Sequence, residues 1–370
     1  MKILHFFKCY YPDSVGGVEQ VICQLAEGCQ SHGITSEVLS LSKKGPSRNQ
    51  PYANHITHTS KLDLYIASTG LSLSVFNDFK ELASQADLIH YHFPWPFMDL
   101  VHFGTHCKKP TVVTYHSDIV KQKLLLQLYT PLLHQFMNSV DHIVATSPNY
   151  TQTSPILKRY QYKTSIIPIG IDRKAYLPSD IPRLHYWKQH LGERFFLFVG
   201  AIRYYKGLHI LVEAQRDIDL PVVIMGAGPM EEELRQQAVQ MGLNNIHFLG
   251  RLSDEDKFAL LELCYGIVFP SHLRSEAFGI SLLEGAMYGK PLISSEIGTG
   301  TTYINIHKET GLVVPPSDPI ALREAMLALW NNPTLACEYG KNAQQRYQKL
   351  FTAEKMVDQY VKIYNKLLNK

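Results

Sequence analysis

Short apolar runs alternate with amphipathic stretches along the whole chain. Residues 3–7 are apolar apart from His5, and after a turn Val18, Val21, Ile22 and Leu25 follow at helical spacing. Further runs at 36–41, 88–92, 111–115 and 142–146 are each bounded by loop residues. A second series opens at 195–199 and ends at Gly200. It continues at 221–225, 245–249, 266–269 and 291–294, each run followed by a helical pattern. Strands that read as continuous apolar runs, interleaved with helices, predict two parallel, doubly wound sheets. Between the two series lies Ile166-Ile167-Pro168-Ile169-Gly170-Ile171-Asp172, then a polar stretch with Pro178, Pro182 and Trp187. This places a domain boundary there, with domains at 1–168 and 169–351. The last segment opens on Thr352 as a helix cap and shows Met356, Tyr360, Ile363, Tyr364 and Leu367 at helical spacing.

Ligands bind doubly wound sheets at the carboxyl ends of the strands. Two such sheets facing each other predict one cleft, with the chemistry in loops that follow strands. The 370-residue length fits two domains. With 45% hydrophobic and 19% charged residues, the chain reads as globular. A net charge of +3 calls for no nucleic-acid partner. Cys9, Cys23, Cys29, Cys107, Cys264 and Cys337 form no CxxC pair and read as free thiols in a reducing compartment. No run reaches the ~18 apolar residues of a membrane span, and residues 1–8 are too short and too interrupted for a signal peptide. A cytoplasmic location is expected, with any membrane contact peripheral.

The post-strand loops hold the candidate chemistry. Tyr10-Tyr11-Pro12-Asp13-Ser14-Val15-Gly16-Gly17-Val18-Glu19 puts two glycines at a helix start, where backbone N–H groups suit an anion; a plain tight turn is the competing reading. The third glycine of the dinucleotide fingerprint is missing. His116 follows the strand at 111–115 and is either a cleft-facing group or a satisfied structural histidine. Arg203 and Lys206 follow the strand at 195–199, where two cations suit a diphosphate leaving group.

The strongest local signal is Glu276-Ala277-Phe278-Gly279-Ile280-Ser281-Leu282-Leu283-Glu284. Read as helix, its carboxylates lie ~12 Å apart, beyond the ~5–9.5 Å of a glycosidase pair. That spacing suits two carboxylates gripping different hydroxyl groups of one extended ligand. Gly298-Thr299-Gly300-Thr301-Thr302 is small and hydroxyl-rich, fit to wrap a phosphate. The Asp217/Asp219 pair precedes its strand, and Asp254-Glu255-Asp256 reads as an acidic first helical turn after Ser253. Gly226-Ala227-Gly228-Pro229 resembles a nucleotide loop that no glycine completes, and His90 and His92 alternate on one strand. No metal-ligand set is assigned.

Gly16-Gly17-Val18-Glu19, Arg203 and Lys206 with Gly207, Gly226-Ala227-Gly228-Pro229 and Glu276-x7-Glu284 together resemble the retaining glycosyltransferases of family four, over nearly the whole chain. The resemblance implies a GT-B fold of class α/β, two Rossmann-like domains facing across a cleft. The first is completed by the final helix at 352–370; the second holds the nucleotide-sugar donor. It further implies that Glu284 binds ribose hydroxyls and that Glu276, with the Phe278, Gly279 and Ile280 stretch, binds the donor sugar. Arg203 and Lys206 would neutralise the departing diphosphate. Gly16, Gly17, Gly298 and Thr299 would meet phosphates, Gly250 and Arg251 the base, and His116 the reaction centre. Two departures stand out. Only Tyr204 and Tyr205 separate Arg203 from Lys206, where the family has four residues, and 297–302 lacks the commoner Gly-Gly segment ending in Pro-Glu.

The spelling Tyr10-Tyr11-Pro12-Asp13 and Arg203-Tyr204-Tyr205-Lys206-Gly207 looks like O-antigen and capsule enzymes that use GDP-mannose or GDP-rhamnose. A same-face mechanism without metal or cofactor is implied, with a saccharide or polyprenyl-diphosphate-linked saccharide as acceptor. Acceptor contacts are expected from the first domain, at 92–95. A GT-B epimerase or phosphorylase, a non-catalytic nucleotide-sugar sensor and a nicotinamide dehydrogenase are the alternatives. Residues 121–133 join Lys121 and Lys123 to a dense apolar run, and the first 168 residues hold 14 Lys and Arg against 11 Asp and Glu. This predicts docking on an anionic bilayer, against ordinary helix packing interrupted by Pro131.

Overall fold

The computed structural model describes residues 1–67, 69–119 and 123–369. Lys121 and Gln122 of the basic apolar segment lie outside them, as do the side chains of Lys123 and Leu124. The chain divides into two compact units, Met1–Gly170 with Ala353–Lys370, and Ile171–Thr352.

The first unit holds strands β1 (Lys2–Phe6), β2 (Thr35–Ser42), β3 (Ser47–Tyr52), β4 (His55–Lys61), β5 (Leu64–Ile66), β6 (Thr69–Leu71), β7 (Leu88–Phe93), β8 (Thr111–Tyr115), β9 (His142–Ala145) and β10 (Thr164–Ile166). Eight of them form one sheet in the order β10-β9-β8-β7-β1-β2-β4-β3, while β5 and β6 pair separately. The sheet is parallel except for β3, which runs antiparallel to β4 at the edge. Successive strands step outward from β1 on one side and from β7 on the other, so the order reverses between β1 and β7.

The second unit holds β11 (Phe196–Val199), β12 (Val222–Met225), β13 (Ile246–Gly250), β14 (Gly266–Phe269), β15 (Leu292–Ser295) and β16 (Gly311–Val314), all parallel in the order β13-β12-β11-β14-β15-β16. That is the order of a dinucleotide-binding sheet, with its reversal between β11 and β14. These short strands are apolar on both faces because helices cover both, and Phe196, Leu197, Phe198, Val222, Val223, Ile224, Leu292 and Ile293 have no exposed surface.

Helix starts follow capping chemistry. Ser253 Oγ accepts the Asp256 N–H and opens the helix Asp254–Leu263, so the acidic turn is a capped first turn. The final helix Ala353–Leu368 buries Met356, Val357, Tyr360, Ile363, Tyr364 and Leu367 within the first unit. Pro131 does not interrupt the helix Lys123–Ser139, which runs through it. All six cysteines are free thiols, and no helix among the described residues is long and apolar enough to cross a membrane.

Candidate active site

In the second unit, the loops after β11 and β14 emerge side by side at the point where strand order reverses. Backbone packing locks them together. His272 donates its backbone N–H to Tyr205 O at 3.0 Å, and its Nε2 lies 3.0 Å from Tyr204 O. A carbonyl only accepts, so the Nε2 carries the proton and Nδ1 is left to accept from Ser317 Oγ at 3.1 Å. Gly207, with φ +70°, ends the turn Tyr204–Lys206, and a Cβ there would stand 2.1 Å from Pro270 O. Only glycine meets both demands.

This packing brings Lys206 and Glu276 together: the ammonium is ion-paired with Glu276 Oε2, which also accepts from Ser271 Oγ at 3.3 Å. Glu276 is 8% exposed, and Lys206 lies 4.8 Å from the centre of the Phe269 ring. Arg203 is not drawn in. It is exposed and forms no ion pair among the described residues, so only one of the two expected cations is built into the site.

The Glu276–Glu284 segment is not one helix. The helix is Ile280–Met287, capped by Gly279 at φ 96°, and Glu276 sits in the loop before it. The expected ~12 Å helical separation therefore does not apply. The chain turns at Gly279, so the two carboxylates belong to differently oriented segments. Glu284 is 4% exposed; its Oε1 accepts from Tyr176 Oη at 2.7 Å and from Lys257 Nζ at 3.3 Å. Burial alone would lower the Lys257 pKa, but the Glu284 and Asp254 carboxylates hold it above its ordinary value. Oε2 of Glu284 has no donor among the described residues and is free for a hydroxyl group.

The third loop joins this construction. Gly300 N–H donates to Ala277 O at 2.8 Å, and Arg274 donates to Gly298 O at 2.9 Å. Gly298 N–H is held by Glu296 at 2.9 Å, and Thr299 is buried beside Thr301. Phe278 is buried. At the sheet edge, Gly250 ends β13 and its carbonyl accepts Gly226 N–H at 2.8 Å, while Arg251 is exposed. Residues 226–229 follow β12 as a packing device: Cβ atoms at Gly226 and Gly228 would stand 1.9 Å from Gly200 O and 2.2 Å from Ile202 O.

In the first unit, Gly16 is extended and precedes the helix Gly17–Cys29. The Glu19 carboxylate folds back over it: a Gly16 Cβ would lie 2.6 Å from Glu19 Oε2, and Glu19 Oε1 accepts from Ser14 Oγ at 2.5 Å. An acidic group therefore lies beside this helix start, whose N–H groups take no side-chain cap. His116 is buried, with Nε2 3.0 Å from His92 Nδ1. His92 and Trp95 are fully buried, and Trp95 Nε1 donates to Gly70 O at 3.0 Å. Neither position presents a surface in this structure.

His5, His90 and His92 form the single group of metal-type ligands among the described residues. Their nitrogens are largely spent: His90 on Thr114 Oγ1 and Tyr364 Oη at 2.7 Å each, and His92 on His5 and His116. Burial lowers His5 and His116 to about 3 and drives His90 and His92 well below 6.5. The fold therefore keeps these imidazoles neutral, while the unfolded chain takes up their protons below pH 6.5. Their stability contribution is complete above pH 6.5 and is lost as pH falls towards 3. Asp99, whose pKa burial raises, opposes one of the four. Chemical denaturation should show the first unit losing several kcal/mol between pH 6.5 and 5. A flat midpoint over that range would contradict the buried neutral cluster.

Comparison with known proteins places the chain among the sugar-transfer proteins of the GT-B class. Residues 15–175 match the family description Glycosyltransferase Family 4, and residues 187–346 match Glycosyl transferases group 1. D-rhamnosyltransferase WbpZ of Pseudomonas aeruginosa is 61% identical over 95% of this chain and 93% of its own length. O-antigen chain mannosyltransferase C of Escherichia coli is 52% identical over 100% and 99%. Among solved structures, sucrose-phosphate synthase from Thermosynechococcus elongatus superposes with a TM-score of 0.80 at 21% identity, covering 100% and 99% of the two chains. The chain belongs to glycosyltransferase family four and is a glycosyltransferase, and the epimerase reading gains no support.

Proposed function

We propose that this chain moves mannose or a deoxyhexose such as rhamnose from a GDP-linked donor to a saccharide, free or carried on a polyprenyl diphosphate, with retention at the anomeric carbon. The names of the rhamnosyl- and mannosyltransferase relatives support the sugar and the place in surface polysaccharide synthesis. The observation that carries the reading is the Lys206–Glu276 pair at the reversal point of the second sheet, with Glu284 on the helix that follows.

In this reading Glu284 Oε2 accepts from ribose hydroxyls and Glu276 from the transferred sugar. Both carboxylates are already tied to lysines, which makes neither a free nucleophile. Retention then follows from attack on the face the diphosphate leaves. The C1–O bond to diphosphate breaks, the acceptor oxygen bonds C1, and the acceptor proton passes to a departing diphosphate oxygen. The remaining N–H donors of Lys206, with Arg203, stabilise that charge, and His116 serves the transfer step.

A thermal-shift panel of nucleotide sugars tests the donor, because a ligand bound only by the folded state raises its melting temperature. GDP-mannose or GDP-rhamnose should give the largest rise; a larger rise with a UDP-sugar would overturn the GDP assignment.

We also propose that the first unit docks on anionic membrane through 121–133. In support, Leu125 and Leu128 are 53% and 81% exposed on the helix Lys123–Ser139. Anionic vesicles should co-sediment the protein at low salt and release it at high salt, and Lys121→Glu with Lys123→Glu should weaken binding. No binding at low salt contradicts it.

A further inference from the structure

Three histidines from three adjacent strands form a hydrogen-bonded row. His5 Nδ1 of β1 lies 3.1 Å from His92 Nε2 of β7, and His92 Nδ1 lies 3.0 Å from His116 Nε2 just past β8. The register makes the row: His5 pairs with His90, and His92 with Thr114, so alternate positions bring His5, His92 and His116 to one face. We propose that His92 and His5 are positioning residues that fix the tautomer of His116, so that its Nδ1 carries a proton and acts as a donor. This rests on the assignment of His116 to the transfer step.

The argument is one of donor counting. A neutral imidazole has one N–H and one lone pair, so each bond in the row needs one of each. All three rings are held neutral by burial, and no carboxylate hydrogen-bonds to them among the described residues. Among their other neighbours, His90 is tied to Thr114 and Tyr364, and Thr114 to Tyr360 at 2.7 Å; His55, whose Nδ1 is paired with the Glu27 carboxylate, acts on His5 in the direction that keeps it neutral. His92 uses both nitrogens, so the two bonds point the same way and only two arrangements exist.

In one, His5 donates from Nδ1 to His92, His92 donates to His116 Nε2, and the His116 proton sits on Nδ1. In the other, every bond is reversed and His116 Nδ1 is a bare acceptor. His5 Nε2 decides between them. It is buried with no partner, and the reversed arrangement would place an N–H there. A buried orphan N–H is rarer than an under-satisfied acceptor. The first arrangement is therefore favoured. Nδ1 of His116 has no partner among the described residues, which leaves its proton for a substrate oxygen.

Two variants of His92 separate this from packing. In His92→Asn the amide takes the place of Nδ1 and keeps the bond to His116. In His92→Gln it takes the place of Nε2, bonds His5 and releases His116. The asparagine variant should keep a kcat at least tenfold above the glutamine variant, with donor KM equal in both and melting temperatures alike. A purely structural role predicts the reverse, since Gln is nearer to His in size, and that result overturns the proposal. Nitrogen-15 spectra of histidine-labelled protein read the tautomer directly. Wild-type His116 should show a protonated Nδ1 and a bare Nε2, with a mixture in His92→Gln; a protonated Nε2 in wild type overturns it as well. Unimpaired transfer in His116→Ala would remove the functional assignment of His116, while the nitrogen spectra still decide the row.

Discussion

Lys206→Ala is expected to lower kcat for sugar transfer by about a hundredfold, because its ammonium acts where charge develops on the leaving diphosphate. The substitution has a second effect. Glu276 is 8% exposed and would lose its cation, and breaking a buried pair costs on the order of 3 kcal/mol. The two effects separate in a double substitution. Lys206→Ala with Glu276→Ala should recover part of the lost melting temperature but none of the lost kcat. Recovery of activity in the double variant would show that Lys206 serves only to neutralise Glu276. Wild-type turnover should be indifferent to EDTA; loss restored by Mn²⁺ or Mg²⁺ would show that a metal, not Lys206, carries the leaving-group charge.

His116→Ala should depress transfer by a comparable factor, on the order of a hundredfold, because the proposed role makes its Nδ1–H a hydrogen-bond donor in the transfer step. Donor affinity, measured by calorimetry, should hold within about threefold, because the carboxylates and the lysine assigned to the donor all lie in the other unit. Lost donor affinity, or a cooperative loss of the first unit on heating, would assign His116 to structure alone.

What was legible in the sequence follows from burial. Parallel strands covered on both faces must be apolar at every position, so Phe196–Val199, Val222–Met225 and Gly266–Phe269 stand out as runs. The edge does not announce itself. Ser47–Tyr52 reads SRNQPY and His55–Lys61 reads HITHTSK, polar sequences whose strand character comes from pairing with β2 and with each other. Glu276 and Glu284 were visible because both lie within nine residues, and the fold puts them in adjoining segments around Gly279.

Their partners were not visible. Tyr176 is 108 residues from Glu284, and Lys257 reads as one more surface cation on an acidic helix. His272, which ties two loops together, carries no motif. The histidine row was hidden for the same reason: His90 and His92 alternate visibly, but His5 and His116 join them only through the register of three strands.

Hydrogen–deuterium exchange with and without saturating donor tests the central claim most directly, since it reports where the nucleotide sugar is held. Slower exchange is expected in peptides covering 200–207, 271–284 and 297–302, the loops that follow β11, β14 and β15 at and beside the reversal point of the second sheet. In Glu284→Gln the same peptides should need a higher donor concentration for equal protection. Protection confined to the first unit, or none in these three loops at saturating donor, would contradict the account.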